Sequence, residues 1–435
     1  MEDISLYMMK SRPSFQVILW GVFSLSSSVA TGTKITMPKP RDLGFIGIVF
    51  LLCGQWIWLK GAGIHLPEPW NAISPGIAIF GAAFMLSWGA ELAQFEIPQS
   101  LAIAFLALVA VLPEYAVDMY FAWEAGKNPE YIHYATANMT GANRLLIGVG
   151  WAAVVFAYFF KTKKGEVKLE PANRIELFAL SAATLYCFVI PLKHSLSWVD
   201  SVVLLSIFVW YMFQATRSHH AEPDIEGPIV EIAKWPRGKR LLVTLFFFVF
   251  SGYTIFLSAE PFAEGLLETG RTWGIEEFIL VQWLAPLASE SPEFIVAIIF
   301  ALRAHAAASL GTLISSKVNQ WTLLVGMLPL VYSLSAGHLG PMVMDARQSE
   351  EIFLTAAQSL FALVIIANLR FSITEALMLF VLFATQLFFT STEARNIYAF
   401  VYIAMAIGWF FIVKDNKKGF ALMIRDGVKN PKKIR

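Results

Sequence analysis

Four carboxylates and two bases stand within stretches of this chain that are otherwise apolar. Glu114 and Glu293 each follow a proline, Pro113 and Pro292, in the segments LALVAVLPEYAVDMYFAW (106–123) and LAPLASESPEFIVAIIFAL (284–302). Asp118 comes four residues after Glu114, one helical turn along the same face. Glu290 precedes Glu293 by three and shares its face, with Pro292 between them able to rotate it. Of 33 Lys and Arg residues, only Arg144 and Lys317 fall well inside such segments. A charge at mid-bilayer costs at least ~2.5 kcal/mol, so each of these groups is a functional candidate by position alone. Each proline also frees a carbonyl from the helix ladder. Carboxylates and free carbonyls are donors for hard cations, and a carboxyl in a dry site can exchange protons near neutrality. Four acids and two bases leave a formal charge of −2, enough for one divalent ion, two monovalent ions or two protons. Against this stands a structural reading. The carboxylates would be salt-bridged to neighbouring helices, and Arg144 and Lys317 would pair with Glu91, Glu260 or Glu264 outside any site.

The elements that hold these groups follow from composition. Of 435 residues, 57% are hydrophobic and 15% charged, whereas a soluble surface needs roughly a quarter charged. The apolar runs are about twenty residues long and lack the alternation of barrel strands, so the expected class is an all-α polytopic membrane protein. Twelve spans are expected near 43–59, 74–93, 98–123, 132–160, 176–192, 196–215, 241–267, 277–302, 307–333, 351–369, 372–390 and 397–413. Placing the N-terminus in the cytoplasm collects Lys161, Lys163, Lys164, Lys168, Arg217, Lys239, Arg240 and the basic tail on the inner side. The outer loops keep single bases such as Lys60, Lys127, Lys193, Arg271, Arg347 and Arg395. That bias predicts both termini inside, and with no convincing organelle signal the plasma (cell inner) membrane is expected. Residues 14–30 end in Ser28-Val29-Ala30 like a signal peptide, but cleavage would invert every span, so an uncleaved interfacial segment is expected. Cys53 and Cys187 sit in apolar runs and are expected as buried thiols. His219 and His220 belong to a solvated linker, 216–240.

The chain also repeats itself. The two Pro-Glu segments are each followed by a stretch of small and polar residues that opens the next span: ATANMTGANRLLIGVG (135–150) and SLGTLISSKVNQWTLLVG (309–326). The copies lie five spans apart, an odd number, so they run in opposite directions across the bilayer. Inverted repeats with interrupted helices place a binding site near the midplane.

This pattern resembles the sodium/calcium exchanger (cation/Ca²⁺ antiporter) superfamily, whose two repeats pair a Pro-Glu helix with a following Gly-Asn-x-x-Gly-Ser-Asn helix. The resemblance covers roughly residues 74–390 and implies a ten-helix, 5+5 inverted-repeat exchanger core with an extra helix at each end. The implied organisation is an N-terminal segment 1–42, an extra span and loop 43–73, and a first repeat 74–215 with its motif near 98–160. The linker 216–240 follows, then a second repeat 241–390 with its motif near 277–333, and an extra span with basic tail 391–435. By resemblance Glu114 and Glu293 are the two central acidic ligands, and Pro113 and Pro292 break their helices. Ser289 matches a family threonine, and Glu290 stands where the family has a serine. Asp118 has no counterpart in the motif. Asn138 and Gly141 fit the first partner helix, but Ala142 and Leu146 replace its oxygen donors. Ser316 and Gln320 keep oxygens at the equivalent second-half positions. On an ideal helix Arg144 lies well round from the Ala142/Leu146 face.

No nucleotide-binding loop and no nucleophile-base constellation is present in the sequence. The expectation is therefore a secondary active antiporter, not an enzyme and without a cofactor, exchanging Ca²⁺ or a related cation for H⁺ or Na⁺ by alternating access. Its partners are inorganic cations and the lipid bilayer, with no nucleic acid. Arg144 and Lys317 would be tethered cations at the site. Two alternatives use the same residues differently: a non-transporting sensor or scaffold, or a transporter whose bases contact an anionic substrate.

Overall fold

The computed structural model describes residues 38–96, 109, 111–217, 227–389 and 391–428. The 14–30 segment, most of 98–110 and the linker residues His219, His220 and Pro223 lie outside them. The described chain forms thirteen helices that matter here. The first is α1 (Pro40–Gly61), followed by α2 (Trp70–Ala93) and α3 (Leu112–Lys127). Helix α4 runs over Ile132–Leu145, a π turn at Leu146–Trp151, and Ala152–Thr162. Then come α5 (Pro171–Lys193), α6 (Trp198–Ala215), α7 (Arg237–Trp273) and α8 (Glu277–Leu302). Helix α9 runs over Ala306–Asn319, a π turn at Gln320–Leu324, and Val325–Ala336. The chain continues with α10 (Ala346–Ile366), α11 (Ile373–Gln386), α12 (Thr392–Ile412) and α13 (Lys414–Val428). Each of the twelve expected spans falls on a helix, 98–123 through its described part. Among the described residues, nine helices are long and apolar enough to cross a membrane.

Helix starts are written locally. Asp345 opens α10 and Ser372 opens α11 with capping boxes closed by Gln348 and Glu375. Ser197 opens α6 in the same way with Asp200, which also receives the Tyr186 hydroxyl and pairs with Lys193.

The halves interlock. Helix α3 of the first half packs on the second part of α9, and α8 of the second packs on α4. Gly141 makes the α4–α8 contact possible, because a Cβ there would lie 1.8 Å from the Gln282 carbonyl oxygen. Two strand pairs bind loops of one half to loops of the other. Glu166–Lys168 pairs antiparallel with Arg370–Ser372, and Ser195–Leu196 with Met342–Val343. Under the repeat, the loop after α4 corresponds to the loop after α9, and the loop after α5 to the loop after α10. Each strand pair is thus the image of the other, as a pseudo-two-fold axis between inverted halves requires.

Helices α1, α2 and the first part of α7 form a hydrophobic cluster of their own, around Cys53, Met85, Phe247 and Ile255, with Ile229 and Ile232 below. The remaining helices share one large cluster, which the start of α2 (Ala72, Ile79) and the second part of α7 (Phe262, Leu266) also join. Helices α2 and α7 approach closely at small residues: a Cβ on Gly265 would lie 2.8 Å from the Ala72 backbone, and one on Gly76 2.9 Å from Phe262. Arg237 and Arg240 both pair with Glu96 and tie the end of α2 to the start of α7. Cys53 and Cys187 are buried free thiols.

Two expectations change. Pro292 does not end its helix, since α8 continues through both Pro286 and Pro292. The interruption lies in the hydrogen-bond ladder alone, because Pro292 has no N–H to offer the carbonyl of Ala288. At Pro113 the described helix begins, with proline in its first turn, where a missing N–H costs nothing. The described part of the basic tail, Lys414–Val428, is in addition a folded amphipathic helix. Its Asn416 donates to the Val364 carbonyl at 3.0 Å, and its Asp426 takes Arg174 at 2.8 Å. Partial burial works to raise the Asp426 carboxyl, but Arg425 and Arg174 outweigh it and hold the group below the usual carboxylate range.

Candidate functional site

Glu114, on the first turn of α3, is 2% exposed; Asp118, one turn on, is fully buried; Glu290 on α8 is 3% exposed. Gln320 joins two of them across the halves. Its Nε2 donates to Glu114 at 2.9 Å and to Glu290 at 3.0 Å. Glu293 instead accepts from the Ser316 hydroxyl at 2.8 Å. The carboxylate bridged to Glu114 is therefore Glu290, while Glu293 is held separately through its own half. Gln320 opens the π turn of α9, and such turns widen the helix by one residue and are frequent at functional sites. The equivalent position of α4, 174 residues earlier, is Leu146, which opens the other π turn. Both partner helices thus carry the same irregularity, and only the second-half copy arms it with a polar side chain.

Several polar atoms at this centre are buried without a partner. They are Oε1 of Glu114, Oε2 of Glu290, Oε1 of Gln320 and both oxygens of Asp118. Asn138 of α4 lies beside Asp118 without closing a hydrogen bond of ordinary geometry. Ser289 is turned back on its own helix, donating to the carbonyls of Ala285 and Pro286. Orphaned carboxylate oxygens in a dry interior are costly unless a cation or proton meets them.

The two buried bases part company. Lys317 is fully buried, and its Nζ donates to Asn143 at the side-chain oxygen (2.6 Å) and the carbonyl (3.2 Å). Positions 143 and 317 are also 174 residues apart, so this bond joins equivalent points of the two partner helices across the pseudo-axis. The ammonium lies over the Trp321 ring. Arg144 points away from the carboxylates. It pairs with Glu351 of α10 at 2.6 Å and stacks on Trp283, and its backbone carbonyl accepts from Gln358. Neither base pairs with Glu91, Glu260 or Glu264; Glu264 accepts from the hydroxyls of Tyr120 and Tyr131. With Arg144 neutralised elsewhere, the central group is four carboxyls facing one ammonium, a formal charge of −3 rather than −2 when all are ionised. Among the described residues, no three acidic, His or Cys side chains converge as a ready metal-ligand set.

Sequence reasoning placed Ser316, Gln320 and the four acids at one locus. It missed Asn143 and Glu351, the partners of the two bases. Asn143 carried a usable signal, being a polar residue at the repeat position of a buried lysine.

The model of the family described as sodium/calcium exchanger protein matches residues 71–217 and 243–392, more than half of the chain. The chain belongs to this family. Among solved structures it is similar to the H⁺/Ca²⁺ exchanger CAX, at 45% sequence identity and a TM-score of 0.86, over 89% of this chain and 98% of that one. Two further exchangers share the fold. The Ca²⁺/H⁺ antiporter protein YfkE does so at 16% identity and a TM-score of 0.57, over 84% of this chain and all of that one. The sodium-calcium exchanger NCX_Mj does so at 15% identity and a TM-score of 0.51, over 79% of this chain and 98% of that one. A comparison with curated proteins finds no match. The exchanger is thus an integral membrane protein, and the residues matched by the family model run from α2 to α11, with α1 before them and α12 and α13 after.

Proposed function

We propose that this exchanger is an H⁺/Ca²⁺ antiporter, in which Glu114, Glu293 and Glu290 bind Ca²⁺ and protons in alternation. The observation that carries the reading is the charge of the centre. Three buried carboxyls, Glu114, Asp118 and Glu290, stand with the half-buried Glu293 around a single ammonium, and the orphaned oxygens of those three need a positive partner in every state. One Ca²⁺ leaves the group at −1, so protons complete its neutralisation. The similarity to an H⁺/Ca²⁺ exchanger at 45% identity favours the same coupling ion. Na⁺ coupling is less well supported, because the first partner helix offers Ala142 and Leu146 where hard oxygen donors would be needed. Asp118 and Asn138 extend the polar path from Glu114, and Ser316 and Gln320 position the carboxylates of the second half. Helices α2 and α7, which pack closely on each other and share a core with α1 over part of their length, slide as a unit to open the site to one side and then the other. The termini lie in the cytoplasm. Removal of Arg144 from the centre takes away one of the two bases that an anionic substrate would use.

Ca²⁺ binding to such a site must expel protons. Addition of Ca²⁺ to the purified protein in weakly buffered detergent solution is expected to release about one to two protons per ion bound. An equal concentration of K⁺ should release none. Calorimetric Ca²⁺ binding without proton release would contradict the coupling.

A further inference from the structure

Arg144 leaves the ion centre for a cavity of about 310 Å³ where the starts of α8, α10 and α12 meet the end of α11, at one face of the membrane. Three guanidiniums line it, Arg144, Arg347 and Arg395, with one carboxylate, Glu351. Glu350 holds Arg395 and Glu276 holds Arg347, but neither of these acids lines the cavity. The lining itself therefore carries three guanidiniums against one carboxylate, and with the two acids behind it counted the neighbourhood is balanced, so what the cavity offers is unused N–H donors.

The donors here are not used up. Gln386 is 6% exposed and lines the cavity, and both atoms of its amide are without a partner. The Nε of Arg347 and the Nε of Arg144 are likewise buried and unpartnered. A buried amide left wholly unsatisfied beside guanidinium donors costs stability unless something polar enters the space. The rim is apolar and faces outward: Leu387 and Phe389 line the cavity and are exposed, and Phe388 and Ile397 stand exposed beside them. In an integral membrane protein that rim meets acyl chains.

We propose that this cavity binds a phosphate group, and that the group is the headgroup phosphate of an anionic phospholipid whose chains lie along α11 and α12. Guanidinium forks suit phosphate oxygens. The Gln386 amide supplies a further donor, and a lining of three guanidiniums with one carboxylate favours an anionic headgroup over one that brings its own ammonium into the cavity.

The test is thermal unfolding of the purified full chain in detergent, titrated in turn with dioctanoyl phosphatidylglycerol, dioctanoyl phosphatidylcholine and inorganic phosphate. The proposal expects a saturable rise of about 5 °C with phosphatidylglycerol at a hundredfold excess over its dissociation constant, and little with the other two. Arg347→Gln and Gln386→Leu should each weaken the phosphatidylglycerol midpoint about tenfold without lowering the ligand-free unfolding temperature. A saturable response to inorganic phosphate, lost in the same variants, would keep the phosphate site and overturn its assignment to a lipid. Equal stabilisation by the two lipids, or unchanged midpoints in both variants, would overturn the proposal.

Discussion

Replacing Glu114 or Glu293 by glutamine is expected to lower Ca²⁺ transport at least about 100-fold, close to 2.7 kcal/mol of lost binding or translocation free energy. Each amide keeps the size and one oxygen of the carboxyl but can neither offset a divalent charge nor release a proton. The two substitutions should act differently on the structure around them. Glu114 accepts the bond that Gln320 makes across the halves, the other going to Glu290 of its own half, so Glu114→Gln also loosens the bridge to Glu290. Glu293 is bonded to Ser316 within its own half, and Glu293→Gln leaves that bridge in place. Neither variant should unfold, because removing one of four crowded acids relieves like-charge repulsion. Radioactive Ca²⁺ uptake into vesicles, with unfolding temperature as the control, checks both statements. Transport within a few-fold of the parent in either variant would remove that carboxylate from the site.

The second large effect is on stability. Glu351→Leu strips Arg144 of its 2.6 Å partner in a position where the arginine is 2% exposed. Breaking a buried pair from one side costs about 3–5 kcal/mol, because the remaining charge is left uncompensated. The double variant Arg144→Met with Glu351→Leu should recover most of that loss, since an apolar pair of similar volume is close to neutral. Chemical unfolding of the two variants and the parent measures this directly. If Glu351→Leu cost under about 1 kcal/mol, the pair would be solvated and its burial misjudged.

These two effects mark what the amino-acid sequence discloses and what it hides. Glu114, Glu293 and the residues a turn away are visible because a charge in an apolar run has few innocent explanations, and spacing along one helix fixes a face. The inverted halves are visible because the Pro-Glu segments and their partners recur. Pairings between helices are a different matter. Glu351 lies 207 positions from Arg144 and near the start of its span, where an acid reads as a helix-end residue. Lys317 finds Asn143 only once the two halves are folded face to face. The π turns left no mark in hydrophobic periodicity, because the segment before each is small and polar (GANRL, SSKVN) and the segment after is largely apolar, so neither flank carries a clean period to shift. Gln320 was found as an oxygen donor, but its bridge from Glu114 to Glu290 depends on that turn. The continuous helix through Pro292 shows the limit of a rule read in isolation, since packing on both sides holds helical geometry despite the missing hydrogen bond.

The measurement that bears most directly on the central claim is Ca²⁺ uptake into proteoliposomes loaded at acidic pH and diluted into alkaline, Na⁺-free medium, with the membrane potential clamped by K⁺ and valinomycin and the internal pH followed by a trapped dye. The account predicts that Ca²⁺ entry accelerates with the outward proton gradient and that the lumen alkalinises in step with it. Ca²⁺ uptake that ignores the proton gradient and responds only to an outward Na⁺ gradient would contradict it.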